Sequence, residues 1–189
     1  MYIDKRAQHT RTLLNESLIK LLNEKPVGRI TVKEICDEAG INRATYYRHY
    51  SDPKDQATMI YNNILADARD CVISHSKEIN VHEGLKSLCE CFLNNRDAYV
   101  AVKDAVDAKE RDEIITELFR WRLIPFLGYK NGQFDADSED YIFDYATSAA
   151  QSTIHRWLVN DTEKFTPAYI ADFLQNTVFS ALFKTGHVA

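Results

Sequence analysis

Residues 30–55 read ITVKEICDEAGINRATYYRHYSDPKD, and the spacing of cap and turn residues within them decides how the rest of the chain is read. Thr31 followed by Glu34 is a capping box, in which the hydroxyl accepts the amide three residues on and the carboxylate reaches back to the amide of Thr31. Ile30 and Ile35 hold the two staple positions around it. Gly40 closes the segment, because the residue after a helix commonly turns left-handed and glycine does so without a Cβ penalty. A helix over 32–39 is therefore predicted. Asn42 caps a second helix over 43–50, and Asp52 with Pro53 opens a third, proline being suited to the first helical position. Two short helices joined by a glycine turn predict a helix-turn-helix whose second helix is free to enter a DNA groove.

Helical phase divides the aromatic residues of GINRATYYRHY between two roles. Tyr46 and Tyr50, four apart, share one face, while Arg43 and Tyr47 share a neighbouring face with Ala44 and Arg48 beside them. Tyr46 stands at the staple position relative to Ile41 and is expected in the core, as is Tyr50, against the first helix. Tyr47 has no such apolar partners. An exposed tyrosine between Arg43 and Arg48 suits a phosphate-facing surface. The alternative is a solvated helix face with one stray aromatic.

Charge along the chain favours the first of these. The net charge is −5, yet residues 1–54 hold ten Lys and Arg against seven Asp and Glu, and the remainder thirteen against twenty-one. A basic amino-terminal module on an acidic body is the distribution that a polyanion partner requires. With 45% hydrophobic and 27% charged residues, there is enough apolar material for a globular core. No apolar run approaches the ~18 residues of a membrane span, and the polar opening MYIDKRAQHTR is unlike a secretory signal. A cytoplasmic protein without membrane contact is expected. Cys36, Cys71, Cys89 and Cys91 have neither zinc-site nor redox-motif spacing, so no metal or cofactor is expected and the thiols are read as small buried or half-buried side chains.

Apolar positions recur at helical spacing almost throughout, and an all-α fold follows. The first helix is expected from Asp4 to about Glu24, with Lys5 and Arg6 as a basic arm ahead of it or as two solvated charges. Further helices are expected at about 53–79, 81–95, 96–107, 110–126, 138–160 and 167–184. The chain divides into a three-helix DNA-binding domain at 1–54 and a larger helical domain at 55–189.

The stretch ITVKEICDEAGINRATYYRHYSDPKD resembles the amino-terminal DNA-binding domain of the TetR family of transcriptional regulators, over about residues 4–60. In that family a short helix, a glycine turn and a helix ending in tyrosine, any residue, histidine and an aromatic recur. The resemblance implies a DNA-contacting set of Thr31, Lys33, Asn42, Arg43, Ala44, Thr45, Tyr47, Arg48, His49 and Lys54. Within it, Thr31 would bond a phosphate through its hydroxyl or amide and Lys33 would face the groove edge. Arg43, Ala44 and Thr45 would approach base edges, Tyr47 a phosphate or base edge, and His49 the backbone. Arg43 is expected to read sequence, since arginine bonds guanine in bidentate fashion. Two departures stand out: Cys36 replaces the family's usual alanine, and SDPKD holds one residue more than the commonest spacing before the lysine matched by Lys54.

One helix-turn-helix reads little DNA, and a dimer that sets two recognition helices about 34 Å apart reads more. The body is therefore expected to dimerise through its last two long helices, with Ala146, Ala149, Ala150, Thr153, Trp157, Phe173 and Val178 at the seam. The same stripes suit burial inside one subunit, and periodicity does not separate the two. The run ending in HRWLVND resembles a carboxy-terminal subgroup of TetR-like regulators, which implies dimerisation as a four-helix bundle. The family also implies a small apolar or aromatic effector, with Tyr61, Cys89, Phe92, Tyr99, Phe119, Trp121, Phe126, Tyr145 and His155 as its candidate pocket. The implied function is a homodimeric repressor released from a double-stranded operator by that effector; the alternative is a co-regulator or activator acting through a protein partner. An enzyme is not expected, because carboxylates such as Asp104, Asp107, Asp137 and Asp140 have no catalytic spacing and no nucleophile motif is present.

Overall fold

Residues 5–74, 81–117 and 135–180 are described by the computed structural model, and all their regular elements are helical. In chain order these are α1 (Lys5–Leu22), a short 3₁₀ turn (Val27–Arg29), α2 (Val32–Ala39), α3 (Arg43–Tyr46), α4 (Pro53–Ser74), α5 (Val81–Asn94), α6 (Arg96–Val102), α7 (Ala108–Glu117), α8 (Ala136–Arg156) and α9 (Pro167–Phe173). α8 and α9 each continue into wider π-helical turns, Trp157–Asp161 and Leu174–Phe179. No helix among the described residues is long and apolar enough to cross a membrane.

Two compact units divide the chain: Met1–Asn63 with Asp97–Arg111, and Ile64–Arg96 with Asp112–Ala189. The division within α4 falls between Asn63 and Ile64, whereas the sequence reading cuts the chain after residue 54. The opening turns of α4 are core of the first unit. Gln56 is fully buried and its Nε2 donates to the carbonyl of Leu14 at 2.8 Å, and Ala57, Ile60 and Tyr61 are buried beside it in sequence. Leu14, Leu18, Ile30, Ile35, Cys36, Tyr46 and Tyr50 complete much of that core. Burying each large aliphatic side chain contributes about 1.5–3 kcal/mol, so a handful of such residues is enough to hold three short helices that would not form alone.

In the second unit α5 packs along α9, and α8 against the turns that follow each of the last helices. Leu85, Leu88, Phe92, Phe143, Ile154, Trp157, Leu158, Leu174 and Phe179 are buried there. Side-chain donors tie off carbonyls near the helix ends. Trp157 Nε1 donates to the carbonyl of Phe165 at 2.8 Å, and Arg96 Nε to that of Leu158 at 2.6 Å.

Several predicted boundaries move for identifiable reasons. Lys5 and Arg6 lie in the first turn of α1 and do not form an arm ahead of it. The helix expected over 96–107 ends at Val102; residues 103–105 turn, and Asp107 Oδ1 accepts the amide of Lys109 at 3.0 Å to start α7. The helix expected over 43–50 is regular only from Arg43 to Tyr46. Beyond it the chain tightens: Arg48 donates its amide to Thr45 O at 3.2 Å and His49 to Tyr46 O at 2.8 Å, the three-residue bonding common in a last helical turn.

Candidate nucleic-acid interface

The capping box is formed in full. The Thr31 hydroxyl accepts the Glu34 amide at 3.3 Å, and Glu34 Oε2 accepts from both the amide and the hydroxyl of Thr31 at 2.9 Å. Glu34 also pairs with Lys25. The Lys25 ammonium and the two Thr31 donors together hold the Glu34 carboxyl down at about 2. Both Thr31 donors implied for a phosphate are thus engaged by Glu34.

α2 ends at Gly40, whose φ of 65° is left-handed, and the amide of Ile41 closes back on Cys36 O at 3.0 Å. That six-to-one bond ends the helix sharply and aims the chain toward α3. Cys36 itself is buried, so the thiol fits where the family's alanine is usual. Asn42 Oδ1 then accepts the Ala44 amide at 2.8 Å and caps α3.

On α3 the aromatic residues separate as phase requires. Tyr46 is 0% exposed and Tyr50 5%, whereas Tyr47 is 59% exposed. The Tyr50 hydroxyl donates to Asn15 Oδ1 at 2.9 Å, fastening the end of the motif to α1. Burial and the nearby Asp52 carboxylate push the Tyr46 phenol up, so it remains a neutral core residue. Arg43, Ala44, Tyr47 and Arg48 are exposed, with Thr45 half-buried and its Oγ1 accepting from Arg48 at 3.2 Å. Lys33 and Lys54 are exposed, and Lys54 lies in the first turn of α4, where Asp52 Oδ1 accepts its amide at 2.8 Å. His49 is half-buried; Arg11 Nε lies 3.4 Å from its Nδ1. Desolvation, then the Arg11 and Arg48 charges, lower the pKa of His49. Arg11 was missed in the sequence because it stands 38 residues away on α1, with no local pattern linking it to the motif.

Comparison with known proteins finds no matching family model and no matching curated protein, but solved structures match over nearly the whole chain. A TetR transcriptional regulator from Streptococcus agalactiae 2603V aligns with TM-score 0.65 at 19% identity, covering 93% of this chain and 96% of that one. This chain has the TetR-regulator fold. NalD, the secondary repressor of the MexAB-OprM multidrug efflux pump in Pseudomonas aeruginosa, aligns at 0.62 with 18% identity, over 94% of this chain and 99% of its own. SmeT in its triclosan complex aligns at 0.61 with 15% identity, over 95% and 94%.

Within this TetR-like fold the effector candidates are dispersed. Tyr61 and Tyr99 stack in the first unit with centroids 6.0 Å apart, and burial raises Tyr99 to about 12. Cys89 and Phe92 are buried in the second unit, and His155 is half-buried there. Tyr145 is 60% exposed on α8. Phe119, Trp121 and Phe126 lie outside the described residues. Among the described residues, two cavities of the second unit, about 580 Å³ between α4 and α5 and about 270 Å³ beside Trp157 and Tyr169, are lined by none of Tyr61, Cys89, Phe92, Tyr99, Tyr145 and His155.

The seam set also divides. Ala146, Ala150, Trp157 and Val178 are buried inside the protomer, which corrects their assignment to a partner-facing seam: α8 turns Phe143, Ala146, Ala150 and Ile154 inward. Ala149 and Thr153 are half-buried and Phe173 is exposed. The outward stripe of α8 is instead Tyr141, Tyr145, Ser148 and Ser152, at helical spacing, and that of α9 includes Tyr169 and Phe173.

Proposed function

We propose that this chain is a cytoplasmic, sequence-specific DNA-binding transcriptional regulator. It acts as a homodimer that represses from a double-stranded operator and is released by a small apolar or aromatic effector. The observation that carries the reading is the outward face of α3, where Arg43, Ala44 and Tyr47 are exposed on a helix held by Asn42, Gly40 and the buried Tyr46 and Tyr50. Arg43 discriminates guanine, and Arg11, Lys33, Arg48 and Lys54 supply charge to the phosphates.

Dimerisation through the outward stripes of α8 and α9 fits the exposed aromatics Tyr141, Tyr145, Tyr169 and Phe173, since large apolar side chains left exposed together favour a partner. An effector releases DNA only by binding a conformation whose two recognition helices no longer fit successive grooves. The SmeT–triclosan complex and the drug-efflux context of NalD support an apolar ligand of that kind, acting on this fold.

Mobility shift of DNA flanking the chain's own gene tests the reading. A specific shift that weakens steeply with salt is expected, each phosphate contact adding about −0.9 to the log–log slope. No sequence-specific shift at modest salt would overturn it. A promoter fusion read with and without the protein then distinguishes repression from activation.

A further inference from the structure

The four cysteines are free thiols, three of them buried and Cys71 half-buried. Cys71 on α4 and Cys91 on α5 line the same open cavity of about 580 Å³, and their thiols share a hydrogen bond. Cys71 is half-buried at the cavity wall, while Cys91 is buried. Asn95 Nδ2 stands 3.8 Å from Cys91 Sγ and donates to its backbone carbonyl at 3.0 Å, fixing the sulfur at the head of the last turn of α5. Asp67, Asp70 and Glu90 line the same cavity. Cys36 lies in the first unit, and Cys89, two residues from Cys91, lines no part of this cavity.

We propose that Cys71 and Cys91 are a reversible oxidation site at which a small uncharged peroxide converts two thiols into a disulfide joining α4 to α5. Sulfurs already in hydrogen-bond contact need only a side-chain rotation to approach bonding distance. The more exposed partner reacts first: Cys71 gives up its proton, its thiolate attacks one peroxide oxygen, the O–O bond breaks, and the departing hydroxide takes that proton, leaving sulfenic acid and water. The Cys91 sulfur then attacks the sulfenic sulfur, and the departing hydroxyl takes the Cys91 proton as a second water. Two electrons pass from the thiols to the peroxide. Burial is the first cause that raises the Cys91 thiol to about 12, so it keeps its proton until that step. The three carboxylates repel anionic oxidants and reductants such as glutathione, and leave neutral hydrogen peroxide as the matched reagent.

The test uses the full-length, fully reduced protein treated with hydrogen peroxide, followed by intact mass and peptide mapping without reduction. The expected result is loss of two hydrogen atoms per chain, one peptide pair joined through Cys71 and Cys91, and faster reversal by neutral dithiothreitol than by glutathione. Cys71→Ser, at a half-buried position, abolishes the change. Cys91→Ala, checked for retained helicity by circular dichroism, leaves a Cys71 sulfenic acid that dimedone traps, and Cys89→Ala behaves as the parent. An unchanged mass, a link between chains, or Cys71 over-oxidised while Cys91 remains a thiol would overturn the proposal.

Discussion

Replacing Gly40 by alanine isolates what the turn between α2 and α3 requires. Gly40 has φ of 65°, and a Cβ built there meets nothing within 4 Å. The substitution therefore creates no collision with neighbours, and its cost is the backbone's own. A Cβ in the left-handed region costs roughly 1–2 kcal/mol. Against this, alanine restricts the unfolded chain more than glycine does and returns about 0.4–1 kcal/mol. The net destabilisation is about 1 kcal/mol, which lowers the midpoint of thermal unfolding by about 2–4 °C if the chain melts as one unit and by more if the first unit melts alone. Gly40→Asn tests the mechanism, because asparagine tolerates the left-handed region through local hydrogen bonding. It should cost clearly less than alanine despite being larger. Urea denaturation of the three proteins, with tyrosine fluorescence as the probe, measures the series. If asparagine destabilises more than alanine, or alanine costs above about 3 kcal/mol, the cost is steric and the backbone argument is refuted.

Arg43→Ala is expected to relax base preference at one position per half-site, each bidentate pair contributing about 1–3 kcal/mol of discrimination; selection from random DNA measures it, and a uniform loss over all sequences contradicts it. Glu34 has its pKa lowered to about 2 by Lys25 and Thr31. A depressed carboxylate contributes stability above its unfolded pKa, near the ordinary Glu value of about 4.3, and loses it as pH falls toward the folded value. Melting profiles should thus show Glu34→Gln losing less stability than the parent between neutral pH and acid. Tyr145→Glu, on the outward stripe of α8, is expected to shift the proposed dimer to monomer in light scattering with little change in melting temperature, whereas loss of fold at this 60%-exposed position would show that the stripe serves the protomer itself.

The motif was legible because its determinants are local. Thr31 with Glu34, Gly40 and Asn42 act within five residues of themselves, and the one-residue shift between Tyr46 and Tyr47 is enough to put one inside and one outside. Long-range partners left no such trace: Arg11 beside His49, Lys25 on Glu34 and Gln56 on the Leu14 carbonyl join residues 38, 9 and 42 apart. α3 shortened because the turn after Tyr46 tightened, which helix propensity does not encode. On α8 the small residues Ala146 and Ala150 are buried within the chain itself. Two stripes of similar spacing run along that helix, and only the packing of the rest of the unit decides which is turned inward.

The seated carboxylate of Glu34 has one more consequence. The amino end of a helix ordinarily offers bare amides to any passing anion, whether nucleotide, sulfate or nucleic acid. Here Glu34 brings its own carboxylate to that berth, so a polyanion bound as proposed would have to be gripped by the guanidinium and ammonium groups around α3. On the proposed function, adhesion to a duplex would then rest on exposed side-chain cations, which salt screens, and recognition would be left to the exposed Arg43, Ala44 and Tyr47.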